Sequence, residues 1–536
     1  MPALNLTVVV ATLVATQAPP DSVPLYANLG RLHHAITTKV PRAQQYFDQG
    51  MILAYGFNHE EAINSFRYAA RLDPDCAMCY WGVAFALGPN INLPMDTSAI
   101  RPAWDAMQAA QQRAPRASDT DRAYIAALAR RYSTAAGTDR ARLDSAYAVA
   151  ARDLAGKYPN DPDAQTLFAD ALMNLAPWNY WENGKPRPGT EKIVSTLERG
   201  LANHADHMGL CHFYIHAVEA SFQPERAVKC AEGLAQLAPG AGHLVHMPAH
   251  IYMRVGRYAD AVEANEHASH TDESFFSERH PAGFYVIYWA HNLHFLWSAA
   301  QMEGRSAVAI QAARDLVTKA FPPALAEQIA PLEYLSPTVY LALVRFGRWQ
   351  DILNEPVIPP GLRFANAIRH FARGRALTAI GQRAGATAQL DSLKAILAQT
   401  PADQMQGFQK ATDILGIAEH VLMGEMAAAQ GDVPGATQHL GEAIRIEDHL
   451  AYDEPPPWFL PVRHSLGAVL LASKRPAEAE QVYQDDLLRN PENGWSLFGL
   501  GQALRAQGKT AEVAAVEVRF KKAWARADVT LTASRF

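Results

Sequence analysis

The sequence predicts an all-α fold, a solenoid in which antiparallel helix pairs stack one after another. Three observations carry that prediction. A pattern of about 34 residues recurs along most of the chain, and no segment of any strength shows the two-residue period of a strand. The chain, at 536 residues, is also too long for one compact core, so several domains or one repeat array are required.

The clearest copy of the pattern runs from Ala43 to Pro74. With Ala43 as position 1, Tyr46 stands at 4, Gly50 at 8, Leu53 at 11, Ala62 at 20, Phe66 at 24, Ala69 at 27 and Pro74 at 32. Gly50 and Ala62 are small where two helices must approach, Tyr46 and Phe66 fill the space beside them, and Pro74 stops the second helix. Asn58 followed by Glu61 predicts a cap for that second helix.

The same frame returns near Met208, with Ala227 at position 20 and Pro239 at 32, and near Gly242, with Gly256-Arg257-Tyr258 at the turn and Ala261 at 20. Later copies show their turns and small residues at Gly347-Arg348, Gly381 with Ala386, Gly431 with Ala436, and Ala479 with Tyr483 and Pro491. A last copy begins near Gly494, with Gly501 and Gly508. Over 40–525 the chain thus resembles the tetratricopeptide-repeat family, which implies a right-handed superhelical solenoid. The block from Phe47-Asp48-Gln49-Gly50 through Asn58-His59-Glu60-Glu61-Ala62 to Tyr80-Trp81-Gly82 further resembles a poorly characterised group of bacterial proteins with this repeat. That second resemblance implies no function.

Hydrophobic residues make up 49% of the chain and charged ones 19%, enough apolar surface to bury a core and too little charge for a disordered chain. A net charge of −6 over this length argues against nucleic acid as the main partner, because phosphate binding needs a basic surface. Residues Thr7 to Ala15 form an apolar run of secretory length, and Thr16-Gln17-Ala18 offers a small-residue cleavage site. A signal peptide over 1–18 and a periplasmic or secreted protein are therefore expected. No Lys or Arg precedes the run, and a cytoplasmic protein is the alternative. No other stretch is apolar enough to span a bilayer.

Cys76 and Cys79 form a C-x-x-C, but Tyr80 stands where attached haem requires His, and no strand precedes the motif as a thioredoxin-like site would need. Cys211 and Cys230 fall on the two helices of one repeat and could pair in an oxidising compartment. Structural roles are expected for all four.

The expected division is an N-terminal arm at 19–40, helix pairs over 41–176, a central His-rich part at 177–310, further pairs over 311–450 and C-terminal units at 451–536. Insertions at 177–189, 274–286 and 453–461 interrupt the repeats. The first carries Trp178, Tyr180 and Trp181, and as a long ordered loop it is a candidate aromatic rim over the groove.

Histidine supplies the functional clue. Of 20 histidines, 12 lie between His204 and His294. The resemblance implies that repeat positions 2, 5 and 9 line a concave groove, and in three successive units these are Gly209, His212, His216; His243, His246, His250; and His291, His294, Ser298. Residues three or four apart share a helix face, so His212 with His216, and His246 with His250, turn two imidazoles to one side. Neutral imidazole suits zinc, copper and iron. Glu219, which makes His216-Ala217-Val218-Glu219 an H-x-x-E pair, could complete or orient the site, as could Asp206 or Asp272. Pro248 suits only a first helical turn, which leaves His243 and His246 open to lie before the helix instead of on its face.

The candidate metal ligands are accordingly His212, His216, His243, His246, His250, His291, His294 and Glu219. His33 with His34 reads as a solvated pair, His59 as a helix-start residue, and His464 carries little weight alone. No phosphate-binding loop, nucleophile elbow or H-E-x-x-H motif is present. The leading expectation is an exported solenoid that binds a transition metal or small ligand in a His-rich groove. Two alternatives stand beside it: a metal-free scaffold for a protein or peptide partner, and a metal-dependent oxidase or hydrolase.

Overall fold

The computed structural model describes residues 22–135, 137–279 and 283–536. The expected signal segment at 1–18 lies outside them. The chain divides into two compact units, one of the described parts of Met1–Ile251 with Glu266–Trp289, the other of Tyr252–Asn265 with Ala290–Phe536. Each is built from packed helix pairs, as the sequence predicts. Examples are Pro41–Tyr55 with His59–Leu72 in the first unit, and Ala411–Ala429 with Val433–Glu447 in the second. Among the described residues the only strands are two short hairpins, Trp181–Glu182 with Lys185–Pro186 and Met405–Gln406 with Gln409–Lys410. No helix among them is long and apolar enough to cross a membrane.

One backbone hydrogen bond punctuates the array. At the end of a first helix, an amide donates to the carbonyl five residues earlier: Asn58 to Leu53, Arg257 to Tyr252, Arg305 to Ala300, Arg348 to Leu343, Gln382 to Leu377, Asp432 to Ala427, Arg475 to Leu470 and Lys509 to Leu504. This closes the helix with a left-handed residue just before the donor, and glycine takes that position without strain. Gly256, Gly304, Gly347, Gly381, Gly431 and Gly508 do so. Phe57 and Lys474 make the same turn with positive φ and no glycine. The predicted cap follows the first of these turns, with the Asn58 side chain accepting from the Glu61 amide.

Close helix approach follows from small residues around an aromatic ring. Phe66 lies between Gly50 and Gly82, where a Cβ on either glycine would run into the ring. Tyr483 lies in the same way between Gly467 and Gly499 in the second unit. Disulfides join Cys76 to Cys79 and Cys211 to Cys230; the second links the helices Met208–Val218 and Val228–Leu237.

Two sequence expectations change. The segment 274–279 continues the helix Tyr258–Arg279, so the link begins later than 274. This stretch keeps apolar Phe275 and Phe276 within ring contact of Tyr285, which favours one continuous helix over a loop. His33 and His34 are not a solvated pair: His33 is exposed and bonds Asp48, whereas His34 is buried against Asp163.

Because the two rings have no room to move aside, Gly82→Ala and Gly499→Ala should each destabilise the chain by about 1–3 kcal/mol. Chemical unfolding of the variants, read against Gly441→Ala, where an added Cβ on the helix Val433–Glu447 meets nothing, measures this; unchanged midpoints would refute the ring-between-glycines account.

Candidate metal centre

In the first unit, the helix Met208–Val218 begins with His207 as cap, its ring accepting from the Leu210 amide. His212 and His216 fall one turn apart on this helix, and Glu219 follows its end. A one-turn helix, Gly242–His246, carries His243 and His246. Pro248 then opens the helix Pro248–Arg254, which carries His250. The proline thus does split the segment, yet the preceding turn is helical too, and all three histidines reach one cluster. His212, His216, Glu219, His243, His246 and His250 are each at most 3% exposed. Six polar side chains are shut away from water together.

Their hydrogen bonds set the protonation of the rings. His212 Nδ1 lies 2.6 Å from the Tyr55 carbonyl, which can only accept, so the proton is on Nδ1. His216 Nδ1 donates to Glu219 Oε1 at 2.7 Å, and His250 Nδ1 donates to Oε2 of the same carboxylate at 2.6 Å. In each case the Nε2 edge is turned away from its anchor. His212 Nε2 stands 3.2 Å from His243 Nε2, and His250 Nε2 stands 2.9 Å from His246 Nε2. Two nitrogens on one ion at 2.0–2.1 Å are separated by roughly 2.9 Å at a right angle and 3.3 Å at a tetrahedral angle. Both pairs therefore have the spacing of neighbouring ligands. His216 Nε2 is buried and has no hydrogen-bond partner.

Electrostatics favour the ligand form. Burial and the neighbouring His216 hold His212 well below its ordinary value, and burial lowers His216 despite the opposing bond to Glu219. Both shifts favour the neutral ring that coordination requires. Burial would raise the Glu219 carboxyl, but the charge of His250 and hydrogen bonds from His216 and His250 hold it well below the carboxylate range. A carboxylate that fixes two imidazoles through Nδ1 is the usual outer partner of metal-bound histidine. His212, His216 and His243 bring ligand atoms within 4.8 Å of one another, as do His216, Glu219 and His250.

Aromatic rings enclose the cluster. Phe57 lies 4.6 Å from the His212 ring and 5.3 Å from His243. From the expected aromatic insertion, Trp178 meets His216 edge-on at 5.0 Å. Its Nε1 donates to Asn92 Oδ1, and Asn92 Nδ2 donates to the hydroxyl of Tyr288, whose ring lies 4.7 Å from His243. Phe57 and Trp178 hold φ of 56° and 58°, a costly region for aromatic residues that persists only where surroundings enforce it. Phe57, Asn92 and Tyr288 were not predicted as part of the site, whereas Trp178 belongs to the insertion expected as an aromatic rim.

His291 and His294 are on Tyr285–Met302, in the part belonging to the second unit. His294 stacks on Trp297 at 5.0 Å, burial pushes it down to about 3, and it joins no ligand grouping among the described residues. Asp272 accepts from the Tyr285 hydroxyl, and Asp206 is exposed. His464 is buried between Arg345 and Asp486.

The fold is an array of packed helix pairs, as the sequence predicts. No protein-family model and no curated protein matches the chain. Among solved structures it is similar to the human IFIT1 dimer with m7Gppp-AAAA, at 12% identity over 91% of each chain with a TM-score of 0.31. It is also similar to the APC/C hetero-tetramer Cut9-Hcn1, at 11% identity over 91% of this chain and 76% of that one, again with a TM-score of 0.31.

A second buried network, absent from the sequence reading, ties the N-terminal arm to the helix Pro162–Met173. Asp163 accepts from His34 Nδ1 at 2.7 Å, from the Tyr55 hydroxyl at 2.6 Å and from His207 Nε2 at 3.2 Å. Burial would lower His34, but the bond to Asp163 and its charge raise it above 6.5. A raised histidine stabilises the fold fully below its unfolded value, and that contribution is lost as pH rises through the folded value. The unfolding free-energy difference between the unaltered chain and His34→Gln should therefore shrink as pH rises above about 6.5. A difference that grows with pH would refute the assignment.

Proposed function

We propose that the first unit binds a divalent transition metal, zinc, copper or iron, through His212, His216 and His243. Glu219 orients His216, the Tyr55 carbonyl orients His212, and His246 with His250 supply two further nitrogens beside them. The observation that carries this reading is the buried, partnerless Nε2 of His216, on a residue whose ligand atom lies within 4.8 Å of those of His212 and His243. A polar group in that state costs about 1–3 kcal/mol, and a coordinated ion removes the cost. Three imidazoles suit a borderline ion better than a hard one such as calcium, which takes oxygen ligands.

Export is part of the proposal. The apolar segment before Thr16-Gln17-Ala18 supports it, and so do two disulfides, since cytosolic thiols stay reduced.

Elemental analysis of untagged, zinc-reconstituted chain should find about one ion per chain, and His216→Ala should lose it while keeping its helical signal. Absence of metal from the reconstituted chain would leave the metal-free scaffold as the reading. Glu219→Ala should weaken zinc affinity about 10–100-fold in competition with a chelator, because the two imidazoles lose their anchor. Sequencing the N-terminus of protein made in its native host should begin after Ala18; a retained Met1 segment would contradict export.

A further inference from the structure

The helix that carries His212 and His216 is tied to one buried carboxylate. Asp163 stands in the first turn of the helix Pro162–Met173 and is 4% exposed. Its Oδ1 accepts from the Tyr55 hydroxyl at 2.6 Å and from His207 Nε2 at 3.2 Å. Both donors lead to the histidine cluster. The Tyr55 carbonyl is the acceptor for His212 Nδ1. His207 takes the Leu210 amide on Nδ1, so its proton is on Nε2, and this one ring fastens the start of the helix Met208–Val218 to Asp163. Packing removes the slack, since a Cβ on Gly209 would lie 3.0 Å from both the Tyr55 ring and the Thr166 methyl group. A shift of Tyr55 is therefore passed on to His212 and to the helix that carries it.

The other oxygen of Asp163 belongs to the N-terminal arm, where His34 Nδ1 meets Oδ2 at 2.7 Å. The same arm reaches the segment that leads to His243 and His246. The Asn28 carbonyl accepts from the Gly240 amide at 2.8 Å, two residues before the helix Gly242–His246 begins. Gly30, at a φ of 92°, approaches the Leu237 carbonyl so closely that a Cβ would overlap it. One arm thus touches the supports of both groups of ligand histidines.

We propose that Asp163 is a positioning residue of the metal centre, and that the arm docked on it through His34 sets how tightly the centre holds its ion. The inference rests on the metal reading above. Asp163 acts through Tyr55 and His207. With the arm docked, the imidazoles are held at ligand spacing before the ion arrives, and less ordering remains to be done on binding. Linkage makes the effect reciprocal: what docking adds to metal affinity, the ion adds to docking.

The probe is zinc in competition with a chelator, and the protein is the full chain, unaltered or carrying Asp163→Asn, Tyr55→Phe, His34→Gln, or the first two together. Tyr55→Phe removes only the hydroxyl and keeps the ring and the carbonyl, so it stands in if Asp163→Asn does not fold. Each single variant should bind zinc about fivefold or more weakly. The double variant should bind no more weakly than Asp163→Asn alone, because the two changes break one bond. Bound cobalt gives a readout that a loss of stability would not move: its visible bands report ligand geometry and should change in Asp163→Asn. In hydrogen exchange, zinc should slow the amides of His34 and Thr37, which donate to Asp48 and Asp121, in the unaltered chain but not in Asp163→Asn. Equal zinc affinity in the unaltered chain and in the Asp163 and Tyr55 variants overturns the inference and leaves the metal reading standing. Additive losses in the double variant, or arm amides indifferent to zinc, do the same. An unaltered chain that takes up no zinc overturns both.

Discussion

In each unit of this chain an aromatic ring clamped between two glycines sets how closely its helices approach. Phe66 between Gly50 and Gly82, and Tyr483 between Gly467 and Gly499, set the separation of three consecutive helices in each unit. Any Cβ at those glycines meets the ring, so the spacing is imposed by exclusion and not by attraction. The turn bond that ends each first helix then sets where the second begins. Side chains on neighbouring helices are thereby brought together, and imidazoles distant in sequence can meet. His212 and His243 are 31 residues apart and bring nitrogens to 3.2 Å.

A dry cluster of six polar side chains costs free energy wherever a polar atom lacks a partner, and here a few anchors serve several rings. One carboxylate, Glu219, holds two rings by Nδ1, and one carbonyl, that of Tyr55, holds a third. Every one of these anchors leaves the Nε2 edge for another use. The enclosing aromatics keep the surroundings apolar, which sharpens electrostatic effects within. Phe57 and Trp178 hold unfavourable backbone geometry beside the same rings. Such strain is tolerated where the surrounding packing over-determines it, and that is the setting of a pre-organised site.

The second unit solves a different problem. Glu425 is buried with two arginines instead of two imidazoles, and one of these, Arg535, arrives on an irregular segment. The two units thus bury a carboxylate with different partners: imidazoles on Glu219 in one, arginines on Glu425 in the other.

The sequence by itself determined the repeat, the turn glycines, the cap at Asn58 and the recurrence of histidine at positions 5 and 9. Those features are local or periodic, and helix geometry converts spacing directly into shared faces. It also singled out Glu219, because an H-x-x-E spacing puts both groups on one helix face. Tertiary structure alone decided that Glu219 serves two rings, that Phe57, Asn92 and Tyr288 enclose them, and that His34 is buried on Asp163. Each of these joins residues from separate helices or loops, where no spacing rule operates. It decided as well that His243 and His246 reach the cluster on a turn of helix before Pro248, since burial beside His212 and His250 outweighs the break that proline makes.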